Sequence, residues 1–200
     1  MNSRPAGNNE MLSLELPGAW EPSGSSSSQR AGSKISSSCV FLMETKQHVN
    51  KLDRIKRKCG FDACIGVNSE GTSGAIAMIW KDDITMNLRS FSKNYIDLDV
   101  GENSGQLMWR VIGFYGDPNV SRQNESCNLM RRLGDQDNKP WLILGDLNEI
   151  MWSFENLAGN RIRETQIVAL REALEYCGME DLGFNGSWHT WEKKIAQQIM

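Results

Sequence analysis

Three short apolar runs end in polar residues that suit metal and phosphate chemistry. The first run ends at Glu44 and the second at Tyr115. The third leads into Asp146 and Asn148. Ligands of open α/β sheets bind beyond the carboxyl ends of strands, so we expect these four side chains to converge. Magnesium takes one or two protein carboxylates plus substrate oxygens and water, which makes Glu44 the expected metal ligand.

Asp146 and Asn148 lie two residues apart at a strand exit, where alternate side chains point the same way. Phosphodiester displacement needs an oriented nucleophile and donors that stabilise charge on the phosphoryl oxygens. We therefore expect Asp146 to handle a proton and Asn148 to donate to a phosphate oxygen. Taken singly, each residue has a more ordinary interpretation: Glu44 as a solvated carboxylate, Tyr115 as a half-buried sheet residue, and the Asp and Asn as turn formers.

Alternating helices and strands are predicted to hold these residues. Helical spacing of apolar residues predicts helices over 47–59, 121–133 and 164–177, the second capped by Ser121. Apolar or alternating runs predict five strands, at residues 39–43, 75–80, 95–100, 107–115 and 141–144. The strands at 95–100 and 107–115 are predicted to form a hairpin. The fold class predicted from this order is a layered α/β protein with a mixed sheet.

Several charged and aromatic residues are expected to be structural. Asp97 and Asp99 alternate with apolar residues and are predicted to form an exposed sheet face. Three tryptophans lie in apolar strands and are predicted to be core residues; they are Trp80, Trp109 and Trp141. The basic run at 51–58 either follows a DNA backbone or forms a solvated helix face, and we favour the solvated face.

Net charge, apolar runs and cysteine spacing limit the class of protein to which this chain can belong. The 200 residues carry a net charge of −3, which argues against tight non-specific DNA binding but not against brief local contact. No apolar run reaches the roughly 20 residues of a membrane span, and no secretory signal is recognisable. We expect an intracellular protein, nuclear or cytoplasmic, with no evident obligate protein partner. The five cysteines lack the paired spacing of a zinc site and are expected to be free thiols.

Residues 1–38 differ from the rest of the chain in being rich in Ser, Gly, Asn and Pro. Such a segment buries too little apolar surface to offset its ordering entropy, so disorder is predicted there. The folded domain is expected to span residues 39–200.

Three motifs in a fixed order carry a resemblance to a known family. They are VFLMETK at 40–46, GFYGDPN at 113–119 and PWLILGDLNEI at 140–150. Supporting stretches are GAIAMIWKDD at 74–83 and DLGFNGSWHTW at 181–191. Residues 39–192 thereby resemble the endonuclease domain of plant LINE-type (non-LTR) retrotransposons, within the exonuclease–endonuclease–phosphatase superfamily. Each motif is weak alone, whereas their shared order and spacing is specific.

The resemblance implies a four-layer α/β sandwich that nicks DNA with magnesium. On the matching positions, Glu44 corresponds to the metal-binding Glu and Tyr115 to the tyrosine that contacts the scissile phosphate. Asp146 and Asn148 correspond to the Asp and Asn of the GDxN motif.

The sequence departs from this pattern at both ends. The family's first strand, which ends in Trp-Asn, has no counterpart, and no closing Asp-His pair occurs. The two histidines, His48 and His189, lie outside such a pair and are interpreted as structural. We therefore expect a partial sandwich that lacks its first and last strands, with exposed strand edges and little or no activity.

Residues 14–22 suggest how the first strand was lost. Codons for these residues, read one base later, can spell a Trp-Asn motif, which gives the hypothesis that the segment before Cys39 is translated out of frame. Genomic codons that cannot spell that motif would remove this hypothesis.

Four functions remain open from the sequence. They are a DNA endonuclease lineage with an inactive or weak product, a working phosphodiesterase completed by a partner chain, a non-catalytic nucleic-acid-binding remnant, and a phosphatase of small phosphorylated substrates.

Overall fold

Two β-sheets packed face to face form the centre of the computed structural model. The structure describes residues 10–14, 26–27, 38–45, 49–68, 74–101, 107–149, 164–180 and 182. The first sheet is antiparallel, in the order β2-β1-β3-β5-β4. Its strands are β1 (Glu10–Leu14), β2 (Ser26–Ser27), β3 (Cys39–Thr45), β4 (Ala63–Val67) and β5 (Ala75–Trp80).

The second sheet is mixed, in the order β6-β7-β8-β9. Its strands are β6 (Thr85–Ser92), β7 (Tyr95–Gly101), β8 (Leu107–Tyr115) and β9 (Trp141–Asp146). Neighbours pair antiparallel except β8 and β9, which run parallel. A parallel pair needs a crossover connection, and here a helix supplies it.

Alternate residues of both sheets meet in one apolar core. Phe41 and Met78 from the first sheet pack with Leu98 and Val111 from the second. Gly113 on β8 permits this close approach, because a Cβ there would collide with the Phe41 ring. Interdigitating inner faces of this kind are typical of packed sheets.

Helices cover the outer faces of both sheets. Helix α1 (Leu52–Cys59) packs on the first sheet, and α2 (Gln123–Gly134) with α3 (Glu164–Tyr176) packs on the second. The resulting order of layers is helix, sheet, sheet, helix. The predicted four-layer α/β sandwich is therefore confirmed. Within the described ranges, no helix has both the length and the apolar character to cross a bilayer.

Most element predictions were close, with differences at helix starts. A 3₁₀ turn at Val49–Lys51 precedes α1, and residues 46–48 lie outside the described ranges. The predicted capping role of Ser121 is wrong, because the Asn119 side chain accepts the Ser121 N–H at 3.0 Å and caps a second 3₁₀ turn. Strands β4 and β6 were not predicted: β4 is short, and β6 carries a bulge that breaks its alternation.

Two short segments within residues 1–38 form strands. Strand β1 pairs along the edge of β3, with Glu10 opposite Met43 and Leu14 opposite Cys39, and β2 pairs with β1. An unpaired strand edge presents N–H and C=O groups that favour the addition of a strand, which explains this pairing. Other residues of the segment up to 37 lie outside the described part of the chain.

Asp97 and Asp99 are buried, so the prediction of an exposed face is wrong. Asp97 is 0% exposed and Asp99 is 8% exposed. The Arg110 guanidinium, also 0% exposed, donates to Asp97 at 2.9 Å and to the Leu133 carbonyl at 3.0 Å. The alternation of apolar and acidic residues predicted a solvent-exposed polar face. In the structure, α2 and the loop after it cover this face, and cations pair with the carboxylates.

Replacing Arg110 with Met tests the importance of this buried pair. The substitution leaves the Asp97 carboxylate buried, with Arg89 at 3.5 Å as its remaining cationic partner among the described residues. We expect the free energy of unfolding in urea to fall by about 3 kcal/mol. The control Arg132→Met, on the exposed side of α2, should change it by less than about 0.5 kcal/mol. Equal small effects of the two substitutions would contradict this account.

Candidate metal and phosphate site

The four predicted site residues come together where β3, β8 and β9 end. Tyr115 and Asp146 are direct partners across the parallel pair of β8 and β9. From the opposite sheet, the Glu44 carboxylate accepts the hydrogen of the Tyr115 hydroxyl. The Met43 sulfur lies 3.2 Å from the Asp146 backbone nitrogen and ties the two sheets together at this point. The predicted convergence is therefore observed, and it depends on sheet-to-sheet packing.

A bulge in β3 aims Glu44 at the site. The pairing of β3 with β5 shifts register between Leu42 and Thr45, and Glu44 has a left-handed φ of 51°. Bulges re-aim side chains at strand ends near functional sites, which matches this placement. Gly74 lies against the Glu44 backbone so closely that a Cβ would collide with it. The sequence did not reveal this bulge, although Gly74 was visible as a break before β5.

The exit of β9 is fixed by hydrogen bonds around Asn148. Its backbone N–H donates to the Asp146 carboxylate at 2.7 Å, and its side-chain amide donates to the Gly116 carbonyl at 2.7 Å. Asn148 has a left-handed φ of 54°, which Asn tolerates better than most residues. A Cβ on Gly116 would collide with the Leu147 carbonyl, so glycine is needed for this close approach.

Tyr115 remains a hydrogen-bond donor at neutral pH. Burial, followed by its bond to Glu44, raises the pKa of Tyr115 well above its ordinary value. Hydrogen bonding with Asn148 lowers that pKa, and the negative charge of Asp146 raises it. Asp146 is the direct strand partner of Tyr115, so its charge lies beside the phenol.

Glu149 is an acidic residue at this exit that the sequence analysis did not single out. Burial raises the pKa of its carboxyl group to about 7. Its charge in turn raises the pKa of the buried thiol of Cys127 on α2, although burial of that thiol is the larger cause. Glu149 therefore faces α2, and its position directly after GDLN was the available signal.

The loop after β8 leads from the site to a shallow cleft. The Asp117 backbone N–H donates to the Ser126 hydroxyl at 3.0 Å, which holds the loop against α2. The cleft, with a volume of about 400 Å³, lies between α2 and the turn joining β6 to β7. Lys93 and Arg132 contribute cationic side chains to its lining. The four site residues are absent from that lining.

The carboxylates of the site suit a hard cation. Glu44 and Asp146 both lie beside Tyr115. Within the described residues, no group of three or more His, Cys, Asp or Glu side chains is arranged so that it could hold a metal ion by itself. Magnesium fits so sparse a set, because it keeps several waters and takes substrate phosphate oxygens as further ligands. His48 and His189 lie outside the described ranges.

No family model and no curated protein matches this chain. Among solved structures, the endonuclease domain of TRAS1, a telomere-specific non-LTR retrotransposon, is similar, with 14% identity and a TM-score of 0.42. The match covers 64% of this chain and 63% of that domain. At this level of similarity no activity transfers, and the interpretation of the site rests on its own geometry.

The pKa of Glu149 predicts a pH-dependent stability. Between about 4.5 and 7 the folded state keeps this proton while the unfolded state loses it. Stability therefore falls as pH rises through that window, because the unfolded state binds fewer protons. In Glu149→Gln, the urea concentration at the unfolding midpoint should fall less across this pH range than it does in wild type. The exposed control Glu172→Gln should show the same decrease as wild type. A decrease in Glu149→Gln as large as that of wild type would contradict the raised pKa of Glu149.

Proposed function

We propose that this chain has a magnesium-dependent phosphodiesterase centre of the nuclease type, with at most slow turnover. The proposal includes descent from the endonuclease domain of a plant LINE-type retrotransposon, with DNA as the ancestral substrate. The single observation that carries the chemistry is the convergence of Glu44, Tyr115, Asp146 and Asn148 from two sheets. Descent from a LINE element rests on the order and spacing of the motifs.

Each residue has a role that its surroundings support. Glu44, half-buried at the strand end, would hold the magnesium ion. Bound there, the ion would neutralise charge on a phosphoryl oxygen and help orient the substrate. Tyr115 stays protonated, so it would donate a hydrogen bond to the scissile phosphate. Asp146 would accept a proton from the attacking water, and the Asn148 amide would donate to a phosphate oxygen.

Slow turnover follows from how the polar groups are already engaged. Tyr115 donates to Glu44, and the Asn148 amide donates to the Gly116 carbonyl. A phosphate must displace these bonds before it receives the same donors.

Three alternatives lead to different measurements. A non-catalytic remnant would bind nucleic acid without cleaving it. A phosphatase would release phosphate from small esters and leave DNA intact. An enzyme completed by a partner chain would gain activity on addition of that partner. The carboxylate–phenol–amide set favours phosphodiester hydrolysis, because it combines a metal ligand, a proton acceptor and two phosphate donors at one position.

Nicking of supercoiled plasmid with magnesium tests the proposal. We expect slow nicking at high protein concentration, abolished by EDTA and by Asp146→Ala. The matched control Asp83→Ala removes an exposed carboxylate and should keep the wild-type rate. Nicking that survives EDTA or Asp146→Ala would overturn the proposal, and rapid nicking would overturn its slow turnover. DNA binding without nicking would support the alternative of a non-catalytic remnant.

A further inference from the structure

Helix α1 carries a dense positive charge on an otherwise acidic chain. Residues 51–58 contain five Lys or Arg and one Asp, whereas the whole chain has a net charge of −3. The positive charge is thus concentrated at one place, and a generally basic composition does not account for it.

The cations lie on the side of α1 that faces away from the sheet. Leu52 and Ile55 pack into the apolar cluster beneath the helix, together with Cys59. Lys51, Arg54 and Lys58 are exposed. The outward side of α1 is therefore a charged surface without apolar residues.

The described part of the chain does not neutralise most of this charge. The one acid, Asp53, forms an ion pair with Lys56 at 3.1 Å. The Arg57 guanidinium donates to the Asp53 backbone carbonyl at 3.0 Å. Among the described residues, none forms an ion pair with Lys51, Arg54 or Lys58. Three cations are thus available to an external anion.

Helix stability does not explain the first two of them. Basic residues near a helix carboxyl end interact favourably with the helix dipole, which accounts for Lys58. Lys51 precedes the helix and Arg54 lies in its first turn, where the dipole disfavours cations. Lys51 also makes no side-chain capping hydrogen bond. Helix stability therefore does not account for the presence of Lys51 and Arg54 at these positions.

We propose that the outward face of α1 binds the phosphate backbone of duplex DNA, as a surface separate from the four-residue site. The choice of DNA rests on the proposed function. Lys51 to Lys58 extends about 10 Å along the helix axis, the length of about three phosphates on one strand.

A lipid surface is the less suitable partner. Helices that lie on membranes insert an apolar face while their basic residues contact headgroups. The apolar residues of α1 are packed against the first sheet and do not face outward. Binding to the phosphates of a nucleic acid requires the cations alone and no exposed apolar face.

Binding of a short fluorescent duplex, measured by anisotropy in EDTA, tests this surface. We expect Lys51→Gln/Arg54→Gln to raise Kd by about tenfold or more and to lower the slope of log Kd against log salt by about two. The control Arg131→Gln/Arg132→Gln makes the same change in net charge on α2 and should have a much smaller effect. Circular dichroism would verify that both variants remain folded.

The outcomes separate this inference from the proposed hydrolysis. Metal is absent from the assay, so the binding measurement does not depend on the hydrolysis proposed for the four-residue site. Failure of nicking with binding that depends on Lys51 and Arg54 would overturn hydrolysis alone. Equal effects of the two double variants, or no duplex binding by wild type, would overturn the α1 surface. Binding to phosphatidylserine vesicles that duplex DNA does not compete away would overturn it in favour of a membrane.

Discussion

The close packing of the two sheets is the constraint on which the candidate site depends. Gly113 leaves room for the Phe41 ring, so the inner faces can meet without a gap. The site takes Glu44 from one sheet and Tyr115 with Asp146 from the other. A shift of one sheet against the other would separate the Glu44 carboxylate from the phenol. The geometry of the candidate site is therefore a property of the core as much as of the strand ends.

Backbone strain concentrates at the same place. Glu44 and Asn148 both have left-handed φ values, which cost about 1–3 kcal/mol each for residues other than glycine. The surrounding packing must offset this cost, and Gly74 and Gly116 allow the close backbone contacts that do so. The Arg110 side chain, which pairs with Asp97 inside the second sheet, also donates to the Leu133 carbonyl and thereby links α2 to that sheet.

The sequence predicted the site better than it predicted the surroundings. Strand-end polar residues follow from local patterns, so the convergence of Glu44, Tyr115 and Asp146 was accessible. The burial of Asp97 was not, because alternation along one strand cannot reveal which helix covers its polar face. Likewise the bulge at Glu44 depends on pairing with β5. Strand β1 depends on the free edge of β3, which only the assembled sheet presents.

The central claim is that Glu44 belongs to a centre that holds a hard divalent cation. Titration with Mn²⁺ followed by electron paramagnetic resonance tests it directly, because carboxylate sites that suit Mg²⁺ also suit Mn²⁺. The account predicts a bound ion that Mg²⁺ displaces and whose affinity falls by about tenfold or more in Glu44→Gln, while Asp83→Asn binds like wild type. Equal affinities in all three proteins, or no bound Mn²⁺ in wild type, would contradict it.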